Sequence, residues 1–164
     1  MLSILDLKVR LLDIETEFLK ETDVVKALLL AKLAALEVGG WTEECIDKIV
    51  IDFLDARNPL CKTKVLDKLK NVYGFQYGKE FRSMIVELVG IIGFEKIENN
   101  ISINCQRLES ALSELKQSRD KCAHTYTKST TAMDAPTKFI QLLSKIEAEL
   151  SVFNVELHKI HLQP

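Results

Sequence analysis

Arg119, Asp120 and His124 fall within one six-residue run, Arg119-Asp120-Lys121-Cys122-Ala123-His124, with Tyr126 two positions beyond it. A guanidinium grips a phosphate through a planar fork of donors and cannot shed its charge by titration. An imidazole takes up or releases a proton near neutral pH. A carboxylate four residues earlier shares its helix face, where it orients the ring and stabilises the cationic form. This is the candidate reactive part of the chain. The structural alternatives are an Arg119 ion pair with a carboxylate such as Glu37 or Asp120, and a His124 that merely complements a helix C-terminus.

Arg119 continues an apolar stripe, Cys105, Leu108, Leu112, Leu115, Arg119, Cys122 and Tyr126, in alternating steps of three and four. It stands where leucine stood before, so it needs an anionic partner or a wet crevice. Arg119 and His124 are five residues apart, roughly 140° around a regular helix at about 100° per residue. Two arrangements bring them together: a helix distorted near His124, or two copies of the motif facing each other across a two-fold interface.

The elements that must position this run are helical. Ile4, Leu7, Leu11, Ile14 and Phe18 predict a helix over 3–20. Thr22 or Asp23 caps a second, 24–56, that runs through Gly39-Gly40, the glycines admitting a neighbouring helix closely. Its stripe Leu33, Glu37, Trp41, Cys45, Ile49 and Phe53 leaves Glu37 as a carboxylate on an apolar line, either a salt-bridge partner or a functional group. Asn58-Pro59 starts a third helix that ends near Asn71 to Gly74, and Tyr73 to Gly78 reads as a turn.

Phe81 to Ile92 forms the next helix, with Gly93 its expected stop, and Asn99 and Asn100 sit in the turn before the motif-bearing helix. Thr125 to Asp134 is the most loop-like stretch. Asp134 as cap and Pro136 in the first turn open a last helix to about Ile160. Five or six helices and no credible strand predict a single domain over 1–164, an all-α, mostly antiparallel bundle.

With 164 residues, 47% of them apolar, the chain fills one core without disulfides or metal, and its net charge of −2 draws in neither nucleic acid nor membrane as a whole. Cys45, Cys61, Cys105 and Cys122 form no C-x-x-C pair and read as reduced thiols of a cytoplasmic protein. The apolar run Ala27 to Trp41 is interrupted by Lys32 and Glu37, too short and too charged for a membrane span. No Glu-x-x-His pair for a helical metal site is present, and His158 and His161 read as a solvated tail. No cofactor is expected. Cys122 is a small core residue or a reactive thiol.

The charge near the motif has the opposite sign to that of the chain. Between Cys105 and Lys138, six basic side chains (Arg107, Lys116, Arg119, Lys121, Lys128, Lys138) outnumber four acidic ones. Lys116, Lys121 and Lys128 are the candidate substrate-binding residues. Lys62, Lys64, Lys68 and Lys70 form a second basic face, solvated or in contact with nucleic acid.

An arginine, a polar residue, three more positions and a histidine near the end of a helix, then a short loop and a final amphipathic helix, resemble the HEPN superfamily of all-α ribonucleases, with a RiboL-PSP-like flavour. Arg119, Asp120 and His124 carry the resemblance directly. Asp120 stands where many members have asparagine, and Ala-Leu-Glu at 35–37 is similar to a glutamate-bearing helix in several branches, which makes Glu37 a supporting residue. The resemblance implies a metal-independent endoribonuclease acting as a homodimer with the motif at its interface, in a toxin or antiviral-defence role. His124 and Arg119 then act on a ribose 2′-OH and the adjacent phosphate, leaving a 2′,3′-cyclic phosphate and a 5′-OH. It further implies an antitoxin; in one branch a nucleotidyltransferase adenylylates the tyrosine matching Tyr126. The competing reading is a non-catalytic helical module that binds RNA or protein through the same dimer surface.

Overall fold

The computed structural model describes residues 4–57, 62–69, 74–124 and 133–160. Among these lie six α-helices and no strand: α1 (Ile4–Lys20), α2 (Val24–Arg57), α3 (Lys62–Leu69), α4 (Arg82–Asn100), α5 (Ser102–His124) and α6 (Pro136–Lys159). The predicted cap at Asn58-Pro59, the third helix's end and the loop 125–132 lie outside the described residues.

Helices α1 and α2 form a tight hairpin. The Asp23 carboxylate accepts the Val25 N–H at 2.8 Å and so caps α2, while Glu21 accepts the Thr22 and Asp23 N–H groups at 3.0 and 2.9 Å. Helix α2 then runs unbroken for 34 residues through Gly39-Gly40. Cross-helix pairs set the directions: Lys8 with Glu147 at 3.1 Å, together with Thr137 bonded to Glu15, place α1 antiparallel to α6. Ser118 with Asp134 at 2.8 Å and Asn104 with Glu149 at 2.7 Å place α5 antiparallel to α6.

The core lies where α2, α5 and α6 meet and is rich in aromatic rings. Phe53, Phe75, Phe81, Phe94, Phe139 and Phe153 are fully buried, and Phe81 meets Phe153 edge to face at 4.8 Å. Leu108, Leu112, Leu115 and Cys122 of the α5 stripe are buried as expected.

Three expected helix ends change, and Asn99 and Asn100, expected in a turn, are the last residues of α4. The chain enters α4 through a π turn, Tyr77–Phe81, in which the Gln76 carbonyl accepts the N–H groups of Lys79, Glu80 and Phe81. Gly93 does not stop α4. The ladder kinks at Gly90 (φ 71°, ψ 170°) and helix resumes to Asn100. Gly93 serves that kink instead, because a Cβ there would stand 2.8 Å from the Val89 Cβ. Asp134 does not cap α6 either: Ala135 holds the cap position without a side-chain bond, and the Asp134 carboxylate joins Ser118 of α5 to Lys138 of α6.

Candidate functional site

Residues 119–124 belong to the regular run of α5, which reaches His124 as helix. The backbone distortion near His124 that would bring position 124 toward position 119 is not present, and at about 100° per residue the two positions are roughly 140° apart around α5. The His124 side chain, Tyr126 and Lys128 lie outside the described residues.

Arg119 is placed by three neighbours. Its stem crosses Gly39 of α2, where a Cβ would come within 3.1 Å of the Arg119 Cδ. Its guanidinium lies over the Phe75 ring, 4.9 Å from the ring centroid. Its Nη1 donates to the Glu43 Oε1 at 2.7 Å. The side chains of this pair remain 28% and 38% exposed, so Arg119 sits at the rim between α2 and α5 and not in the core.

The two carboxylates proposed from sequence as its partner are engaged elsewhere. Glu37 faces α1 and pairs with Arg10 at 3.2 Å, across a groove lined by Asp6, Trp41 and Glu44. Asp120 accepts from Lys116 Nζ at 2.5 Å, one turn back on α5. The structure thus brings Lys116, Arg119 and Asp120 onto adjoining parts of α5 but sets Glu37 apart from them.

Glu43, Phe75 and Gly39 were missed as site residues. The line read through Glu37 is not the one that faces α5, because Glu37 turns to Arg10 of α1. Gly39 and Glu43, one turn apart on a neighbouring line of α2, both lie against Arg119, and Ala35, one turn before Gly39, is fully buried. The one available signal was Gly39 itself, placed so as to admit a close neighbour.

Four of the six basic side chains counted along 105–138 are paired with carboxylates. Arg107 reaches Glu149 at 3.9 Å, Lys138 lies 3.0 Å from Glu114 and 3.1 Å from Asp134, and Lys116 and Arg119 are paired as above. Two of these carboxylates, Glu43 and Glu149, lie outside the counted segment. Acidic charge also gathers on α2: burial first, then the nearby Glu43 and Glu44, raise the Asp47 carboxyl above its ordinary range.

Cys122 is buried, and burial pushes its thiol upward against the opposing pull of Lys32, which suits a core residue and not a nucleophile. His158 is no solvated tail. Its Nδ1 lies 2.9 Å from the Asn154 carbonyl and its ring meets Phe53 edge to face at 5.7 Å. His161 lies outside the described residues. Among the described residues no cluster of three or more His, Cys, Asp or Glu side chains is disposed to hold a metal, and no helix is long and apolar enough to cross a membrane.

Compared with known proteins, the chain matches no family model, no curated protein and no solved structure.

Proposed function

We propose that this chain is a metal-independent endoribonuclease of HEPN type that works as a homodimer. The observation that supports the reading best is a guanidinium held at the rim of α5 by Gly39, Phe75 and Glu43, five residues before a histidine on the same unbroken helix. His124 takes the proton of a ribose 2′-OH, the 2′-oxygen attacks the adjacent phosphorus, and the bond to the 5′-oxygen breaks. The leaving oxygen recovers a proton from an imidazolium, while Arg119 offsets the charge on the pentacoordinate phosphate. Asp120, which accepts from Lys116 and stands four residues before His124, orients the imidazole. Lys116 and Lys121 add salt-sensitive attraction to the backbone. Glu37 lies in the α1–α2 groove, and no role in this chemistry is assigned to it.

Because Arg119 and His124 diverge by about 140° on a regular helix, a complete site joins Arg119 of one chain to His124 of a second copy. Helix α2 offers a surface for this. Val25, Leu29, Leu33 and Leu36 are 43–51% exposed, on the same helix as Gly39 and Glu43. A cytoplasmic toxin or defence effector held by an antitoxin is the setting this activity fits.

One observation favours the second reading, a non-catalytic dimerisation module: with Leu5, Val9, Leu12 and Leu19 of α1 also exposed, the α1–α2 hairpin carries a broad apolar surface. Incubation with single-stranded RNA in EDTA separates the two. The nuclease reading expects products with 2′,3′-cyclic phosphate and 5′-OH ends and no cleavage of DNA of the same sequence, which lacks the attacking hydroxyl. RNA left intact, or DNA cut equally, overturns it.

A further inference from the structure

We infer that Glu43 is a positioning residue, holding the Arg119 guanidinium in the orientation in which it meets the reacting phosphate; this rests on the nuclease reading above. A planar guanidinium has two faces and two donor edges. Phe75 covers one face at 4.9 Å and Glu43 takes the Nη1 side at 2.7 Å, so a phosphate is gripped from the remaining edge. Gly39 leaves room for the stem, since a Cβ there would crowd the Arg119 Cδ at 3.1 Å.

Stability alone does not account for this arrangement. Glycine inside a helix costs about 1 kcal/mol relative to alanine. The ion pair it admits is partly exposed, the class of pair that contributes roughly 0–1 kcal/mol. Glu43 also adds to an acidic strip of α2 that holds Glu44 and Asp47. A helix interior that accepts a glycine and crowded carboxylates to fix one rim arginine is built for where that arginine points.

The alternative role for Glu43 is as a competitor that phosphate must displace, and kinetics distinguish the two. Removing a carboxylate beside the site favours RNA binding on charge alone. A positioning role therefore predicts that Glu43→Ala lowers kcat by about tenfold while KM stays level or falls. Glu43→Gln, whose amide oxygen still accepts from Nη1, recovers most of the loss. In an Arg119→Ala background, Glu43→Ala costs nothing more.

A readout independent of activity is the Arg119 Nε–Hε resonance, assigned by its loss in Arg119→Lys. In the unaltered protein the Phe75 ring beneath the fixed guanidinium shifts it away from the resonances of exposed arginines; in Glu43→Ala, with the guanidinium released, it moves to their position. An unchanged resonance, or a kcat that is unchanged or higher in Glu43→Ala, overturns the proposal. If Arg119→Ala cleaves as well as the unaltered protein, the nuclease reading fails and this proposal with it, whereas normal Arg119 dependence with an indifferent Glu43 sinks the proposal alone.

Discussion

Gly39 of α2 lies directly beneath the stem of Arg119 of α5, so closely that a methyl group on Gly39 would stand 3.1 Å from the Arg119 Cδ. Its neighbour Gly40 has nothing within 4 Å of the same position. Two adjacent glycines of one helix therefore differ in kind. Gly39→Ala is expected to shift Arg119 and lower RNA cleavage severalfold with little change in thermal stability, the helix-propensity gain offsetting the crowding. Gly40→Ala should leave cleavage unchanged and stabilise the fold by about 0.5–1 kcal/mol. Equal effects of the two substitutions on cleavage would remove Gly39 from the site.

Gly90 makes a different demand. Its φ of 71° with ψ of 170° lies in a region only glycine occupies readily. Gly90→Ala should lose about 1–3 kcal/mol in denaturant unfolding although no neighbour crowds a methyl group there. A neutral result would mean that the kink is not a feature of the folded chain.

The contrast between Gly90 and Gly93 marks where the sequence stops being legible. Apolar periodicity locates the six α-helices among the described residues and carries α2 through Gly39-Gly40, because periodicity reports which side of a helix is buried. It places the end of α4 at Gly93, since only a backbone angle distinguishes the glycine that kinks a helix from the glycine that packs beneath the kink. Arg119 stands out in the sequence for the same reason, a charged group on an apolar stripe that calls for an anionic partner, and Glu43 is that partner. Its support does not stand out: Glu43 and Phe75 reach Arg119 only through the packing of α2 and of the segment before α4 against α5. The place of Asp134 before Pro136 predicts a cap, yet the approach of Ser118 gives its carboxylate another partner.

Asp134 links acidity to stability. Burial works against its ionisation, but hydrogen bonds from Ser118 and Lys138, with the charges of Lys138 and Lys121, hold the carboxyl below its ordinary value of 3.8. A carboxylate depressed in the folded state adds stability above its unfolded pKa and loses it as pH falls through the folded value. Asp134→Asn should thus melt about 2 °C lower than the unaltered protein at pH 7. The gap should close below pH ~3.8. A gap that persists in acid would assign the effect to packing.

The two-chain site can be tested by mixing inactive variants. If Arg119 of one chain works with His124 of the other, a heterodimer of Arg119→Ala and His124→Ala holds one intact site and one empty one. An equimolar, subunit-exchanged mixture should recover about a quarter of the original activity. Leu33→Glu with Leu36→Glu, both on the exposed side of α2, should yield a folded monomer without cleavage. No recovery in a mixture shown to exchange subunits, or full activity in the monomer, places both groups at work within one chain.

The most direct measurement is cleavage of single-stranded RNA in EDTA by Arg119→Ala and His124→Ala, each checked for unchanged helical content, melting temperature and oligomeric state. The expected result is that each substitution abolishes cleavage, to below about a hundredth of the original rate, while those three properties hold. Cleavage by the His124 variant at the rate of the unaltered protein, or activity that appears only when a divalent metal is supplied, would contradict it.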